Sequence, residues 1–449
     1  MAYYALLALV ILAPLPLGSN RPIPELIVQA WCFGILTLTA LLAASGRLSD
    51  VAKRLRHIAP IIWLYLIWLL VFIIQMFPLP PSVAELLSPR AFEAYSQLSS
   101  QGEQVSYFIS VDRYETFRAF LFQISFFALF VSAYLLMSSQ ENIRRAFMVM
   151  FFFCLFEVVL AVLALPVGER VGLGDESKLG ILLSGTYVNP NHFAGLLEMG
   201  LGIGIGLIRL RQPHGYSLKG QFVWLMHEPT LFVPLVILLV GLLFTGSRGG
   251  VIAFSLAFLI TEIVFRFRAG KERPSGAFWS VIATIVVLAL VLGGGSVIEK
   301  TLAKGGDTYR PSIWQASLET GAKHPLLGAG GGAYEVATEA LKPPALAEKR
   351  LDHAHNDYLE LFVEFGLVGV VLAVAALWVA GRRLYSQAVF RSASSSALMY
   401  GVSVSLLSLL LHGLVDFNFN IPANALWFSV LLAIGLSLDF NAHQRHRGI

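Results

Sequence analysis

The densest group of polar side chains in this hydrophobic sequence lies at residues 352–360, Asp-His-Ala-His-Asn-Asp-Tyr-Leu-Glu. It ends a long polar stretch and directly precedes an apolar run, so we expect it at a membrane surface, where such residues usually have a function. A neutral His355 could accept a proton from a hydroxyl group as a general base. The open alternatives are a histidine that only hydrogen-bonds the loop and a metal site of His353 and His355 with Asp352 or Asp357.

The position of His355 predicts support from a rigid helix. His355, Phe362, Gly366 and Gly369 recur at i, i+7, i+11 and i+14, on or near one helical face. The two glycines would let another helix approach closely below the histidine. No second His or Cys cluster completes a metal site, so no metal ligand is predicted.

Two arginines outside the main basic clusters are candidate phosphate ligands. Arg248 lies in Thr-Gly-Ser-Arg-Gly-Gly at 245–250, and Arg310 begins Arg-Pro-Ser-Ile-Trp at 310–314, where Pro311 could start a short helix. Guanidinium groups pair bidentately with phosphate oxygens, and glycines let backbone N–H groups approach an anion. The alternative for each arginine is a structural partner for an acid or a lipid head group.

Further candidates for substrate binding are weaker. Asn189 and His192 open an apolar run in Asn-Pro-Asn-His-Phe at 189–193, but this pattern is also typical of turns and helix caps. Arg118 lies just inside another run. Ionisable residues within or at the ends of apolar runs must have a partner or water that the sequence does not assign: Glu157, Glu198, His412 and Asp416.

The composition places all of these residues in a membrane protein. Of 449 residues, 56% are hydrophobic and 13% charged, against roughly a quarter charged in soluble domains, and the mean hydropathy is +0.71. Cys32 and Cys154 lie in apolar runs, so no disulfide framework or thiolate metal site is predicted. The net charge of +4 comes from short dispersed clusters, which membrane topology explains better than nucleic-acid binding.

Apolar blocks of a length that can cross about 30 Å of hydrocarbon predict an all-α polytopic protein with about twelve spans. The candidate spans are 3–17, 26–44, 58–77, 116–137, 146–166, 187–208, 230–246, 249–265, 277–293, 357–380, 397–416 and 422–440.

Basic residues recur in alternate connections, which the positive-inside rule assigns to the cytoplasm together with both termini. The long connections 78–115 and 294–356 are then periplasmic and hold the candidate site. The cytoplasmic connections lack a phosphate-binding Gly-rich loop. The glycine-rich run at 328–332 is expected to be a flexible turn.

The arrangement resembles the O-antigen ligase family, from about Tyr187 to Asp416. The family motif is a histidine, then Asn, Ser or Gln, nine residues, and Gly-x-x-Gly-Thr-Gly. His355, Asn356, nine residues and the glycines at 366 and 369 match it, whereas valines occupy the last two positions, 370 and 371. The first five spans resemble the family only in hydropathy.

The resemblance implies a helical glycosyltransferase of the GT-C type with twelve spans and a large helical periplasmic loop, which works without metal or nucleotide cofactor in the bacterial inner membrane. It implies His355 as the base and Arg248 and Arg310 as diphosphate ligands, with Asn356 a further candidate. The donor would be an undecaprenyl-diphosphate-linked glycan and the acceptor lipid A-core oligosaccharide, joined with inversion.

Two other functions stay open. A polymerase of O-antigen or exopolysaccharide would use the same donor. A glycolipid transporter would suit the number of spans, but polar residues near the bilayer midplane and internal repeats, which transporters often have, are not evident. We predict three parts: residues 1–186 with five spans, an O-antigen-ligase-like core at 187–440, and a cytoplasmic tail at 441–449.

Overall fold

The computed structural model describes most of the chain. The described residues are 1–100, 105–164, 182–212, 228–268, 309–339, 341–342, 350–386 and 392–447. They form helices joined by turns and contain no strand, only an isolated bridge between Leu79 and Tyr107. The predicted all-α polytopic class is confirmed.

Sixteen α-helices are described, numbered in chain order. They are α1 Ala2–Leu12, α2 Pro22–Ala44, α3 Val51–His57, α4 Ala59–Met76, α5 Pro81–Leu87, α6 Pro89–Ser100, α7 Arg113–Leu136, α8 Gln140–Ala164, α9 Pro190–Arg211, α10 Pro229–Phe244, α11 Arg248–Arg268, α12 Arg310–Lys323, α13 Tyr334–Glu339, α14 Asp357–Ser386, α15 Ala393–His412 and α16 Pro422–Arg447.

Nine of these helices are long and apolar enough to cross a membrane: α2, α4, α7, α8, α9, α11, α14, α15 and α16. The apolar helices α1 and α10 are shorter. Together they correspond to eleven of the twelve predicted spans, because uninterrupted apolar runs favour helices that satisfy their own backbone groups. The remaining predicted span, 277–293, lies outside the described residues.

The long helices α9, α11, α14 and α16 start at one end of the bundle and α15 ends there, so the bundle has two distinct ends. We call the end that holds His192, His355 and His412 the histidine end. We call the other the arginine end, where Arg54 donates to Ser437 and to the carbonyl of Tyr134, and where His57 pairs with Asp439 at 2.8 Å.

Both chain termini lie at the arginine end. The Tyr3 hydroxyl donates to the Asn142 carbonyl, and the Asn441 amide donates to the Ser138 carbonyl. Arg209 and Arg266 also lie there, paired with Glu262. The distribution is the one expected of a cytoplasmic face, and the assignment of this end to the cytoplasm stays a prediction.

The centre of the bundle is the packing of α9 against α15. Gly206 of α9 faces Gly401 of α15 so closely that an added Cβ would lie 3.1 Å from the Gly401 Cα. Ser405 donates to the carbonyl of Met199 across the same interface. Since lipid chains are as apolar as leucine, such small residues and hydrogen bonds supply the association between membrane helices.

Gly366 of the sequence motif breaks α14, whereas a Cβ added at Gly369 would lie 3.4 Å from Trp68 of α4. Gly366 has φ 58° and ψ −157°, which interrupts the helix ladder. The segment that follows His324 fills the gap, because the carbonyls of Pro325 and Leu326 accept from the N–H groups of Leu367 and Val368. The prediction that a helix approaches at Gly366 was therefore wrong, since the turn at 325–327 takes that place.

The glycine-rich run 328–332, predicted to be a flexible turn, turns at 331–332 and is hydrogen-bonded to α14. The Ala329 N–H donates to the carbonyl of Val363 at 2.8 Å, and the Gly330 N–H donates to that of Glu364. The buried Gln75 of α4 donates to the carbonyls of both Leu327 and Glu364. Positive φ angles at 328, 330 and 332 require glycine in this path.

Replacing Gly366 with alanine should destabilise the protein. The residue occupies a backbone region that is essentially restricted to glycine, at a cost of about 1–3 kcal/mol for another residue, and the new Cβ would lie 2.6 Å from the Leu326 carbonyl. We expect the free energy of unfolding in detergent to fall by about 2 kcal/mol or more. Gly381→Ala on the same helix is the matched control, since nothing lies within 4 Å of its added Cβ. Equal stability of the two variants would contradict this account of the break.

Candidate functional site

A buried carboxylate lies at the centre of the histidine end. The Asp416 side chain is 1% exposed, and three imidazoles face it. His355 Nδ1 lies 3.5 Å from Asp416 Oδ1, His192 Nε2 lies 3.8 Å from the same oxygen, and His412 Nε2 lies 4.0 Å from Oδ2. These are ion-pair distances rather than well-aligned hydrogen bonds.

Three separate parts of the chain bring these side chains together. His192 lies in the first turn of α9, His412 ends α15, and His355 lies two residues before α14. Asp416 follows α15 in the turn that leads to α16, and its carbonyl accepts from the N–H of Asp357 at 3.1 Å. The start of α14 is thereby fixed to the turn that carries the carboxylate.

The Phe417 ring packs against the imidazoles of His192, His353 and His355. The His353 ring stacks on it with 4.1 Å between ring centroids, and His355 and His192 meet it edge-on at 4.9 and 4.5 Å. Aromatic pairs in these geometries add stability beyond the area that they bury. The next residue, Asn418, accepts a hydrogen bond from Asn424, which also donates to the His192 carbonyl.

His355 is not on the helix, contrary to the sequence prediction. Asn356 caps α14 by accepting from the N–H groups of Tyr358 and Leu359, so the helix begins only at Asp357. His355 itself has φ 49°, a left-handed conformation that is uncommon for a residue other than glycine. Strained backbone of this kind persists where surrounding contacts hold it, often at functional sites.

The neighbouring residues hold the His355 turn in place. Trp314 of α12 donates its indole N–H to the Ala354 carbonyl at 3.1 Å, and the Ala354 N–H donates to Glu360 at 3.0 Å. About a third of the His355 side chain is exposed, but its Nδ1 is buried. The accessible part of the imidazole is therefore the part away from Asp416.

His353 and His355 have different surroundings. His353 Nδ1 lies 2.8 Å from Glu360 Oε1. Burial opposes protonation of this imidazole, but the charge and hydrogen bond of Glu360 outweigh it and raise the pKa of His353. His353 thus pairs with the Glu360 carboxylate of α14, whereas part of the His355 ring is exposed.

The pKa of Asp416 shows the effect of the surrounding imidazoles. Burial alone would raise it, but the facing His192 and His355 side chains and the charge of His412 hold the pKa of this carboxyl well below its usual range. A carboxylate this far from water is costly unless positive or donor groups compensate it. Asp416 is therefore an ionised group at neutral pH.

Arg248 is the first residue of α11, beside the same cluster. The Ser247 hydroxyl lies 3.4 Å from His412 Nε2, and a Cβ added at Gly249 would lie 3.3 Å from that imidazole. The Arg248 side chain is exposed, and no described carboxylate pairs with it. A guanidinium at the N-terminus of a helix next to glycines is well suited to an anion.

Arg310 is the first residue of α12, the helix that Pro311 starts. One turn later Trp314 ties α12 to Ala354, between His353 and His355. The Ser247 turn thus places Arg248 beside His412, and the bond of Trp314 places α12, which starts at Arg310, beside the His355 turn.

The structure identifies partners that the sequence could not assign. Glu198 pairs with His412 Nδ1 at 2.8 Å and accepts from the Ser408 hydroxyl. Glu157 accepts from the N–H and the hydroxyl of Thr186. Glu198 thereby holds the imidazole that stands between the Arg248 turn and Asp416.

The weaker candidates for substrate binding have different positions in the structure. His192 belongs to the cluster but is 3% exposed, so direct contact with a substrate is not available to it. Asn189 accepts from the Asn191 N–H as a helix cap, and Asn356 likewise uses its side chain in capping. Arg118 pairs with Glu115 and Glu25, away from the His355 cluster.

A cavity of about 570 Å³ lies next to the cluster, between α4 and α14 on one side and α11, α15 and α16 on the other. Glu360 and Asn420 line it at the histidine end, and Ile61 and Tyr385 line it toward the arginine end. Between these ends its wall is mainly leucine, alanine and phenylalanine. Such a cavity fits a long apolar chain whose polar end lies near His353 and His355.

No group of three or more His, Cys, Asp or Glu side chains in the described part of the chain could hold a metal ion. The pairing of Asp416 with His355 and the contacts of Phe417 and Glu360 could not be predicted from the sequence. A signal was present for Asp416, since an ionisable residue at the end of an apolar run needs a partner.

Comparison with protein families gives a match over about a third of the chain. The O-antigen ligase family model matches residues 233–374, a stretch that includes Arg248, Arg310 and His355 but not Asp416. A search among curated proteins finds no match. The resemblance seen in the sequence is thereby confirmed over residues 233–374, where this multi-pass membrane chain matches the O-antigen ligase family.

Proposed function

We propose that the protein is an O-antigen ligase, which transfers a glycan from undecaprenyl diphosphate to a hydroxyl of lipid A-core oligosaccharide. The family match supports a function of the ligase or polymerase type in a membrane glycosyltransferase-like enzyme. The observation that carries the proposal is a solvent-accessible His355 held beside buried Asp416, with the turns of Arg248 and Arg310 packed around the same cluster.

The proposed reaction is a single inverting displacement. An acceptor hydroxyl oxygen attacks the anomeric carbon, and His355 takes the hydroxyl proton. The bond between that carbon and the diphosphate oxygen breaks, its electron pair goes to that oxygen, and undecaprenyl diphosphate leaves. General base catalysis contributes typically ~10²–10⁴ in rate, and alignment of the two substrates contributes further.

Arg248 and Arg310 would stabilise the leaving diphosphate. Negative charge grows on its oxygens as the glycosidic bond breaks, and positioned cations act most strongly on charge that develops in the transition state. Exposed Arg248, with no described carboxylate partner, is free of the charge compensation that Glu115 and Glu25 give Arg118. In this mechanism the two arginines, rather than a metal ion, stabilise the charge of the leaving diphosphate.

The cavity beside α14 would accommodate the polyprenyl chain. Its apolar wall begins next to Glu360, which bonds His353, and continues through the depth of the bundle. A donor lying there would have its diphosphate at the histidine end. We assign this end to the periplasm, in the bacterial inner membrane, because the basic connections and both termini lie at the opposite end.

The central test is transfer by the purified protein in nanodiscs, supplied with an undecaprenyl-diphosphate glycan and lipid A-core in the presence of chelator. His355→Ala should lower transfer by at least ~10² because the base is lost. His57→Ala is the matched control, since His57 pairs with Asp439 at the arginine end. Transfer that the His355 variant retains at the wild-type rate would contradict the proposal.

The product distinguishes the related functions. Glycan attached to lipid A-core identifies a ligase, whereas lengthened glycan that stays on undecaprenyl diphosphate identifies a polymerase with the same site. The polymerase is the second candidate because valines replace the end of the ligase motif at 370 and 371. Lipid translocation without any covalent product would identify a transporter and overturn both.

The assignment of the cavity to the donor chain makes a separate prediction. Ala376→Trp should fill part of the cavity that Ala376 lines and lower kcat/KM for the donor by about tenfold or more, which corresponds to ~1.4 kcal/mol. Val374→Trp is the control on the same helix, because Val374 is 59% exposed on the outer face. The measurement is a donor titration at saturating acceptor. Equal kcat/KM values in the two variants would exclude this cavity as the donor site.

A further inference from the structure

We infer that Asp416 is the positioning residue of His355: its carboxylate holds the imidazole with Nδ1–H toward the protein, so that Nε2 is the proton acceptor. This inference rests on the proposed function for the identity of the base. Asp416 lies outside the stretch that matches the ligase family and touches no substrate in the proposed mechanism. Its role is to fix the tautomer and orientation of another side chain.

The geometry at His355 carries the first step. Its Nδ1 is buried and faces Asp416 Oδ1 at 3.5 Å, while about a third of the side chain is exposed. Only the edge of the ring away from Nδ1 can then contact a substrate hydroxyl. A neutral imidazole with its hydrogen on Nδ1 carries the free electron pair on Nε2, which is the state a general base requires.

The carboxylate itself is held in one orientation. Asp416 Oδ1 accepts from the N–H of Phe417 at 2.9 Å, and the Phe417 ring supports His355 edge-on. The residue is 1% exposed, so water does not compete for its charge. Distances between catalytic partners are often long before substrate binds and shorten in the complex, and closing 3.5 Å to a hydrogen bond needs only a small movement.

Of the three imidazoles that face Asp416, His355 is the one that Asp416 can orient toward a substrate. His412 uses Nδ1 for Glu198 at 2.8 Å, which is much closer than its 4.0 Å to Asp416. His192 is almost fully buried at 3.8 Å from Asp416. Both compensate the buried charge, whereas His355 combines the shortest distance with access to the open side.

Other ionisable groups also lie near Asp416 and His355. They are His192 and Glu198 from α9, Arg248 from α11, Arg310 from α12, His353 from the preceding turn, Asp357 and Glu360 from α14, and His412 from α15. Asp357 is bonded through its carboxylate to the N–H of Phe419. Glu360 engages His353, so Asp416 is the carboxylate directed at His355.

The kinetic test compares Asp416→Asn with Asp416→Glu in the transfer assay. The asparagine variant should lose about 10² in kcat with KM for both substrates within about threefold, because a misoriented base slows the chemical step while the substrate contacts are unchanged. The glutamate variant retains the charge and should recover at least about a tenth of the wild-type kcat. Asp439→Asn is the control, since Asp439 is equally buried beside a histidine at the other end.

Loss of activity through KM, or an equal loss of kcat in Asp416→Asn and Asp439→Asn, would overturn the inference. Wild-type activity that does not depend on His355 would instead overturn the proposed function, so the two failures are distinct. A second measurement needs no Asp416 variant. Histidine labelled with ¹⁵N in the wild-type protein, assigned with His355→Gln, should show His355 protonated at Nδ1 when neutral, and protonation at Nε2 would contradict the inference.

Discussion

The histidine end of this protein is organised by the need to compensate one buried negative charge. Asp416 lies where water cannot reach it, and an ionised carboxylate in such a place is stable only beside donors or positive groups. The compensation comes from His192, His355 and His412, which belong to three different parts of the chain. Satisfying one charge therefore fixes the relative positions of α9, α14 and α15.

The buried charge of Asp416 also links the proposed base with the proposed diphosphate site. His412 stands between Asp416 and Glu198, and it contacts the Ser247 turn that presents Arg248. His355 stands on the opposite side of Asp416. The group that would accept a proton and a group that would hold the diphosphate are thus connected through buried side chains, which favours a fixed distance between them.

The sequence predicted most of the fold and the types of the site residues. Apolar runs of membrane-spanning length identify helices directly, because lipid offers the backbone no other partner, and eleven predicted spans correspond to described helices. Arg248, Arg310 and His355 were recognised from chemistry and motif spacing, and the structure gathers them around one cluster. Their catalytic roles stay predictions.

What the sequence could not predict depends on tertiary contacts. Asn356 caps α14 and so leaves His355 in the preceding turn, a choice that helical periodicity does not reveal. Gly366 looked like a site of close helix approach, but the fold uses it to break α14 and dock the loop at Leu326. The pairing of Asp416 with His355 joins residues 61 positions apart and has no local signal.

The most direct test of the central claim is a cryo-electron microscopy structure of the protein in nanodiscs with undecaprenyl diphosphate and no added metal. We expect diphosphate density between the guanidinium groups of Arg248 and Arg310, on the open side of His355, with the polyprenyl chain in the cavity beside α14. Diphosphate bound at the arginine end, or bound at the histidine end without contact to either arginine, would contradict the proposed site.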